Sequence, residues 1–86
     1  MKIEFTGNSA QLLDAVSFQA SVDGANVSCR VTIEALQDID PPNRMDDPLS
    51  QFASNKSSIQ HVAEKLIRSG RVINGQLDIT NADLLA

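Results

Sequence analysis

Residues 16–32 read VSFQASVDGANVSCRVT, and this stretch decides the fold of the chain. Apolar residues alternate with mostly polar ones on both sides of Asp23-Gly24. A two-residue Asp-Gly loop is typical of a type I′ hairpin turn and fixes the register of its two strands. A slip of one residue would place the apolar side chains opposite serine, asparagine and arginine. The predicted facing pairs are Val22 with Ala25, Ala20 with Val27, Phe18 with Cys29, and Val16 with Val31.

The residues before this hairpin predict a short strand and a connection. Residues 2–6 alternate charged and apolar side chains, which is typical of a strand with one apolar face. Residues 8–14 show no such alternation, and we interpret them as a connection. Leu12 and Leu13 are expected to anchor it to the core.

A short helix is expected after the hairpin. Thr32 is a suitable N-cap, because its hydroxyl can accept a hydrogen bond from a backbone N–H of the first turn. The helix must end by Asp40, since Pro41-Pro42 cannot continue it. Residues 38–47 are expected to form an acidic loop that contains these prolines.

The main helix is predicted from Asp47-Pro48 to Ser69, with Gly70 as its C-terminal stop. Residues 54–58 are poor helix formers, so the continuity of the helix across them is left open. The apolar residues fall within one half of the helical circumference. They are Leu49, Phe52, Ala53, Ile59, Val62, Ala63, Leu66 and Ile67.

A second hairpin is predicted around Asn74-Gly75, with arms at 71–73 and 76–80. Thr80-x-x-Asp83 resembles a capping box that starts a last helical turn. The whole chain, residues 1–86, is therefore interpreted as a single α+β domain of two layers. An antiparallel sheet of about four to five strands, in the order β-β-β-α-α-β-β, is expected to pack on one long helix.

Composition limits the classes of protein to which the chain can belong. The net charge of −4 disfavours a nonspecific nucleic-acid binder, which usually carries a basic face. No apolar run is long enough to span a membrane, and the first residues do not form a signal peptide. The single cysteine cannot form an internal disulfide. Together these features favour a cytoplasmic protein without a membrane partner.

Two residues could suggest nucleophilic catalysis, but the pattern argues against it. Cys29 lies on the apolar face of the hairpin, where a thiol stays protonated. His61 is placed on the solvent side of the main helix, at about 160–200° from Ile59 and Ala63. A Cys–His dyad is therefore not expected, and the chain is predicted not to be an enzyme.

Four aspartates could suggest a metal-binding loop. A calcium loop needs a glycine at its sixth position and a glutamate at its twelfth. Counted from Asp38, these positions hold Asn43 and Leu49. We therefore expect neither a metal nor another cofactor at Asp38, Asp40, Asp46 and Asp47.

Four side chains of the main helix are candidate partner-binding residues. His61, Lys65 and Arg68 share its outer face, either as a surface for an acidic partner or as cations that complement the helix dipole. Lys56 lies about 60° from Ile59, inside the apolar arc. Its charge either reaches a structural partner over a packed stem or marks a binding site.

The order of these patterns is similar to a known family. They include Val16-x-Phe18, Val22-Asp23-Gly24, Val27-x-Cys29 and Glu34-Ala35-Leu36, then Phe52, Lys56, Ile59 and Ala63–Ile67, and finally Gly75, Ile79-Thr80 and Asp83-Leu84. Over residues 15–85 the chain resembles the bacterial domain-of-unknown-function family 1488. The resemblance implies arginine where Lys56 stands, and it implies the fold but no activity.

The leading functional hypothesis is a non-catalytic protein-interaction or regulatory module. Its partner is expected to be another protein or a second copy, as a homodimer formed through an exposed sheet edge. The alternative hypothesis is a nucleic-acid-linked transcriptional regulator that uses the basic strip of the long helix.

Overall fold

The computed structural model describes residues 1–40, 42 and 47–85 of the chain. They form an α+β fold in which helices cover one face of a sheet, and this agrees with the predicted fold class. The elements are β1 Ile3–Gln11, β2 Ala15–Val22, β3 Ala25–Thr32, α1 Ile33–Ile39, α2 Pro48–Ser54, α3 Lys56–Arg68, β4 Gln76–Ile79 and α4 Asn81–Leu85. None of the helices in these ranges is long and apolar enough to cross a membrane.

The central hairpin has the predicted register. Val22 pairs with Ala25, and the ladder continues residue by residue to Ala15 and Thr32. Asp23 and Gly24 have φ angles of 51° and 85°, the left-handed values that a type I′ turn requires. Local turn chemistry and the apolar pattern therefore select the same pairing.

The sheet is mixed, so the prediction of a wholly antiparallel sheet is wrong. Its strand order is β1-β2-β3-β4, with β4 parallel to β3. Asn74 and Gly75 form a tight turn, but its first arm is a single bridge from Ile73 to Gln76. The second predicted hairpin therefore contributes one strand. Since α1, α2 and α3 intervene between β3 and β4, the chain returns to the sheet by a crossover, which allows parallel pairing.

The first strand is longer than predicted. β1 runs to Gln11, and residues 9–11 pair with β2, so residues 8–14 are not merely a connection. Residues 6–8 oppose the single Gln19, which places two extra residues in β1. Leu12 and Leu13 are exposed, Leu13 to 99%, and anchor nothing in the core. The pairing of 9–11 rests on backbone hydrogen bonds and needs no apolar pattern, so the apolar pattern could not predict it.

One long helix was expected, but the structure has two helices that meet at Asn55. The Asn55 side-chain amide donates to the Gln51 carbonyl at 2.9 Å and to Asp40 Oδ2 at 3.1 Å. An asparagine that bonds the preceding turn in this way competes with continuation of the helix. The expected ends are correct: α2 begins at Pro48, and Gly70 follows α3 with a φ of 85°.

The two short helices also begin as expected. The Thr32 hydroxyl caps α1 by accepting from the Ala35 N–H at 3.1 Å, and α1 ends before Asp40. Asp83 Oδ2 accepts from the Thr80 N–H at 3.0 Å at the start of α4. The capping-box interpretation therefore holds for the carboxylate half of the box.

The core lies between the hairpin and the helices. A row of phenyl rings crosses it, with ring centroids 6.1 Å apart for Phe5 and Phe18 and 5.1 Å apart for Phe18 and Phe52. These distances are typical of favourable aromatic pairs. The row joins β1 and β2 to α2 and so holds the edge strand against the helical layer. The other buried side chains of this cluster include Val16, Ala20, Val27, Val31, Leu36, Ile59, Ala63, Ile67, Leu77 and Ile79.

Replacing Gly24 tests the contribution of the central turn. A Cβ at Gly24 would meet nothing within 4 Å, so the cost of alanine there is conformational alone. We expect Gly24→Ala to lower the free energy of unfolding by about 1 kcal/mol in a urea titration. Gly24→Asn should lose less, because asparagine tolerates the left-handed conformation. An alanine variant as stable as the wild type would contradict this account of the turn.

Candidate functional site

The outer edge of β1 presents backbone groups that the sheet does not use. The Asp23 N–H donates to the Lys2 carbonyl at 2.8 Å, and this bond sets the phase of the β1–β2 ladder. Ile3 pairs with Val22 and Phe5 pairs with Ala20, and both are non-hydrogen-bonded pairs of this ladder. In an antiparallel ladder such residues direct their N–H and C=O groups away from the partner strand. Ile3 and Phe5 therefore offer hydrogen-bonding groups to the outside of the sheet.

The side chains of these two residues face the helical layer. Ile3 and Phe5 are partly buried and pack against the core cluster. They form one side of a groove of about 330 Å³ between β1 and α3. The other side of this β1–α3 groove is formed by Ser57, Gln60, His61 and Glu64. The apolar side of the groove thus lies directly beside the unused backbone groups of β1.

The two extra residues of β1 widen the same region into a second cleft. This bulge cleft of about 230 Å³ shares Gln60 with the groove. Phe18 and Phe52 contribute its aromatic lining, and Lys56 lies on the helical side. The remaining lining residues are Thr6, Ser9 and Ala53. The bulge in β1 and the helix break before Lys56 both border this cleft.

Lys56 keeps its predicted place about 60° from Ile59, since both lie in α3, but its side chain is exposed. α3 begins at Lys56, and the side chain lies at the rim of the bulge cleft. Among the ion pairs of the described residues, none includes Lys56. Within this part of the chain, the Lys56 charge therefore has no structural ion pair.

The other three candidates are exposed, but they do not form one site. His61 borders the β1–α3 groove, whereas Lys65 and Arg68 line neither the groove nor the bulge cleft. Arg68 donates to Glu64 at 2.9 and 3.2 Å across one helical turn. This pairing lowers the positive charge that the predicted basic strip offers to an acidic partner or to phosphates. The structure therefore places His61 at the groove and Lys56 at the adjacent bulge cleft, whereas Lys65 and Arg68 lie at neither.

Arg71, which follows α3 in the chain, is also paired. Arg71 contacts Asp83 at 3.3 Å, and the Asp83 side chain is only 13% exposed. Burial raises the pKa of the Asp83 carboxyl, but the Thr80 N–H and the Arg71 guanidinium outweigh it, so the pKa lies below its ordinary value. Arg71 therefore secures the start of α4 rather than extending a binding surface.

Cys29 lies where the sequence predicted, fully buried in the core. Burial raises the pKa of its thiol to about 11, because the apolar surroundings disfavour the thiolate. His61 lies on the exposed side of α3. The two residues therefore share no surface on which they could act on one substrate.

The described residues hold no cluster of three or more His, Cys, Asp or Glu side chains that could bind a metal. Asp46, one of the four aspartates considered in the sequence, lies outside the described residues. Asp40 takes part in the contact that ends α2, through the Asn55 amide. Its position thus has a structural explanation.

Sequence reasoning missed most of the groove. It identified Lys56 and His61 but neither Ser57 nor Gln60, and it expected an exposed sheet edge without assigning that edge to β1. Helical spacing could have found the wall, since Ser57, His61 and Glu64 follow one another at intervals of four and three. The two-residue bulge in β1 has no comparable signal in the sequence.

Comparison with known proteins places the chain in a family. A family model described as "Protein of unknown function (DUF1488)" matches residues 4–77. The chain belongs to the DUF1488 family. A crystal structure of a DUF1488 protein of unknown function from Shewanella loihica PV-4 is similar in fold, with a TM-score of 0.76 and 24% identity over 90% of each chain. Among curated proteins, none matches this one.

These findings confirm the resemblance seen in the sequence. The DUF1488 match extends from Glu4, within β1, through α3 to Leu77 in β4. It therefore includes Phe5 and the α3 side of the β1–α3 groove but not Ile3. The similarity to the Shewanella protein supports the fold and leaves the function of the groove to be inferred from its geometry.

Replacing Lys56 tests whether its charge is structural. We expect Lys56→Met to keep the melting temperature within about 2 °C of the wild type or to raise it, because an exposed charge without a partner contributes little to stability. Arg71→Met is the matched control. It should lower the melting temperature by about 4 °C or more, because Asp83 loses its cation while partly buried. A drop of several degrees for Lys56→Met would place its ammonium in a structural ion pair.

The burial of Cys29 predicts an unreactive thiol. At pH 8 we expect Ellman's reagent to label native protein at least about 100-fold more slowly than urea-unfolded protein, because the site is closed and the thiol is protonated. A Cys29→Ala/Ser69→Cys variant, with its thiol on the exposed C-cap of α3, provides the reactive control. Equal labelling rates in the native proteins would show that Cys29 reaches the surface.

Proposed function

We propose that this DUF1488 chain is a non-catalytic protein-interaction module that binds an extended polypeptide segment at the edge of β1. One observation carries the proposal: the outward backbone groups of Ile3 and Phe5 lie beside the β1–α3 groove. Strand addition to a sheet edge is a recurring mode of peptide recognition. In this mode the main chain supplies affinity, and pockets for alternate side chains supply specificity.

The backbone groups define where the added strand pairs. Ile3 and Phe5 each offer one N–H donor and one C=O acceptor. A strand laid antiparallel to residues 3–5 satisfies these four groups and leaves the β1–β2 ladder unchanged. The bulge at residues 6–8 ends this regular stretch, so the pairing is short.

The groove defines which side chains the added strand carries. Every second side chain of a strand points to the same face, so alternate side chains of the bound segment enter the β1–α3 groove. The β1 side of this groove consists of Ile3 and Phe5, and these residues favour apolar side chains on the bound segment. We therefore expect a bound segment to alternate apolar and polar residues.

The helical side of the site adds a charge preference. Lys56 stands at the rim of the bulge cleft, next to Gln60, which the cleft and the groove share. A carboxylate on the bound segment could pair with Lys56 without displacing a structural partner. Because Lys56 is exposed, this contact should tune specificity more than affinity.

The non-catalytic part of the proposal rests on the separation of reactive groups. Cys29 lies in the core with a protonated thiol, whereas His61 borders the groove. A nucleophile and a base need to lie within hydrogen-bond reach of each other. These two residues do not meet that condition, and the groove itself offers hydroxyl, amide, imidazole and ammonium groups suited to binding.

The proposal can be tested with a random peptide library displayed on phage. Panning on immobilised protein should enrich peptides with alternating apolar residues, and an acidic residue should be over-represented among them. Synthetic peptides from this selection should shift the amide NMR signals of Ile3, Phe5 and Gln60. No enrichment, or shifts confined to another surface, would overturn the proposed function.

A pair of variants at one position isolates the backbone contact. Ile3→Ala removes most of the apolar side chain but keeps the outward N–H, whereas Ile3→Pro removes that N–H as well. Proline is tolerated on an edge strand when its missing N–H would point away from the sheet. We expect peptide affinity to fall about threefold to tenfold further in Ile3→Pro than in Ile3→Ala, as measured by fluorescence polarisation. Equal affinities would show that the peptide does not pair with the edge.

A further inference from the structure

We infer that the segment bound at the β1 edge is β1 of a second copy of this chain, paired antiparallel about a two-fold axis at Ile3. The inference rests on the proposed function, since it names the partner of the same edge. A two-fold interface must be complementary to itself, because each residue contacts its own counterpart or exchanges contacts symmetrically. The first five residues meet this requirement in one register.

The phase of β1 restricts the registers that are available. Residues with outward backbone groups must pair with one another, and in this part of β1 these are Ile3 and Phe5, with Met1 in the same phase. The two-fold axis can therefore lie at Lys2, Ile3, Glu4 or Phe5. Each choice places a different pair of side chains opposite each other on the outer face of the sheet.

Charge distinguishes these registers. An axis at Lys2 places Lys2 opposite Lys2 of the second copy, and an axis at Glu4 places two glutamates opposite each other. Like charges directly opposite on neighbouring strands are destabilising. An axis at Phe5 places Ile3 opposite Gly7, inside the bulge that interrupts the strand. An axis at Ile3 instead places Lys2 opposite Glu4 of the second copy, and it does so twice.

The side chains required for these ion pairs already share one face. Lys2 Nζ contacts Glu4 Oε1 at 3.0 Å within the chain, and both side chains are more than 60% exposed. Glu4 pairs with Ser21 on the face of the sheet that the helices leave bare. Both residues can therefore reach across the edge without leaving their positions on the strand.

The other face of the same register is apolar. Ile3 lies opposite Ile3 of the second copy, and Met1 lies opposite Phe5. Met1 is 63% exposed, one of the few large apolar side chains so exposed among the described residues. Pairing would place Met1 against Phe5 of the second copy, at the β1 side of its groove, and so bury part of the Met1 side chain. The edge thus combines two ion pairs on its polar face with apolar contacts on its helical face.

The bulge keeps this interface small. Residues 6–8 leave the ladder, so pairing is limited to about the first five residues of each chain. An interface of this size belongs to the weak, transient class. We therefore expect a dimer whose population rises with concentration between about 10 µM and about 1 mM.

Charge exchange tests the register. In sedimentation velocity experiments over that range, we expect Lys2→Glu and Glu4→Lys each to weaken dimerisation about tenfold, because each variant turns both ion pairs into like-charge pairs. The double variant Lys2→Glu/Glu4→Lys restores opposite charges at both positions. It should dimerise within about threefold of the wild type.

The control and the other outcomes decide the inference. Lys65→Glu changes the net charge by the same amount as Lys2→Glu on the exposed side of α3, and it should dimerise like the wild type. A dimer that the double variant does not restore would overturn the register. A monomer at every concentration would overturn the second copy as the partner. If selected peptides still bind in an Ile3-dependent manner, only this inference fails; if they do not, the proposed function fails with it.

Discussion

The packing of Phe18 is the contact on which the rest of the structure depends. The Asp23-Gly24 turn fixes the register of β2 and β3, and that register directs Phe18 towards the helices. There it meets Phe5 of the edge strand and Phe52 of α2. Because the Phe18 ring contacts both Phe5 and Phe52, it sets the position of β1 relative to the helices. The Asp23-Gly24 turn, although it lies outside the site, therefore influences where β1 lies.

Two irregularities interrupt the regular structure beside this packing. Residues 6–8 add two residues to β1, and Asn55 interrupts the helix above it. Both lie beside the phenyl row, and the bulge cleft opens between them. A regular strand under a continuous helix would have closed this space with side chains. The cleft therefore results from departures from regular structure, which often occur at functional sites.

The elements that could be predicted are those with a regular local pattern in the sequence. Alternation and turn chemistry predicted the register of the central hairpin. Thr32 predicted the start of α1, Pro41-Pro42 its end, and Gly70 the end of α3. The wrong predictions concern long-range choices. Asn74-Gly75 does form a turn, but nothing local indicates that the strand after it pairs parallel to β3.

The candidate site was predicted only in part, for the same reason. Lys56 and His61 could be chosen from their position on a helix, yet the cleft beside Lys56 could not be predicted from that position. Residues 2–6 were predicted as a strand, but their sequence did not indicate that this strand would form an edge of the sheet. Which residues direct their backbone N–H and C=O groups away from the sheet depends on the alternation of hydrogen-bonded and non-hydrogen-bonded pairs. That alternation is set when the two strands pair, so neither sequence alone reveals it.

The two edges of the sheet are protected to different degrees. β4 is only four residues long, and Asp78 on it pairs with Arg30 of β3. A short strand with charged residues is a common protection against unwanted pairing. β1 is nine residues long and is protected by its bulge and by the charges of Lys2 and Glu4. These charges oppose a strand that carries the same sign at the facing position and favour one that carries the opposite sign, so the protection is selective.

This selectivity also has to overcome the net charge of the domain. Two copies with a charge of −4 each repel one another at long range. The Debye length is only about 8 Å at physiological ionic strength, so this repulsion is largely screened before the edges meet. Contacts between facing side chains act at shorter distances and are screened less when strands pair. The arrangement of charges along residues 2–4 therefore matters more for pairing at this edge than the overall acidity of the chain.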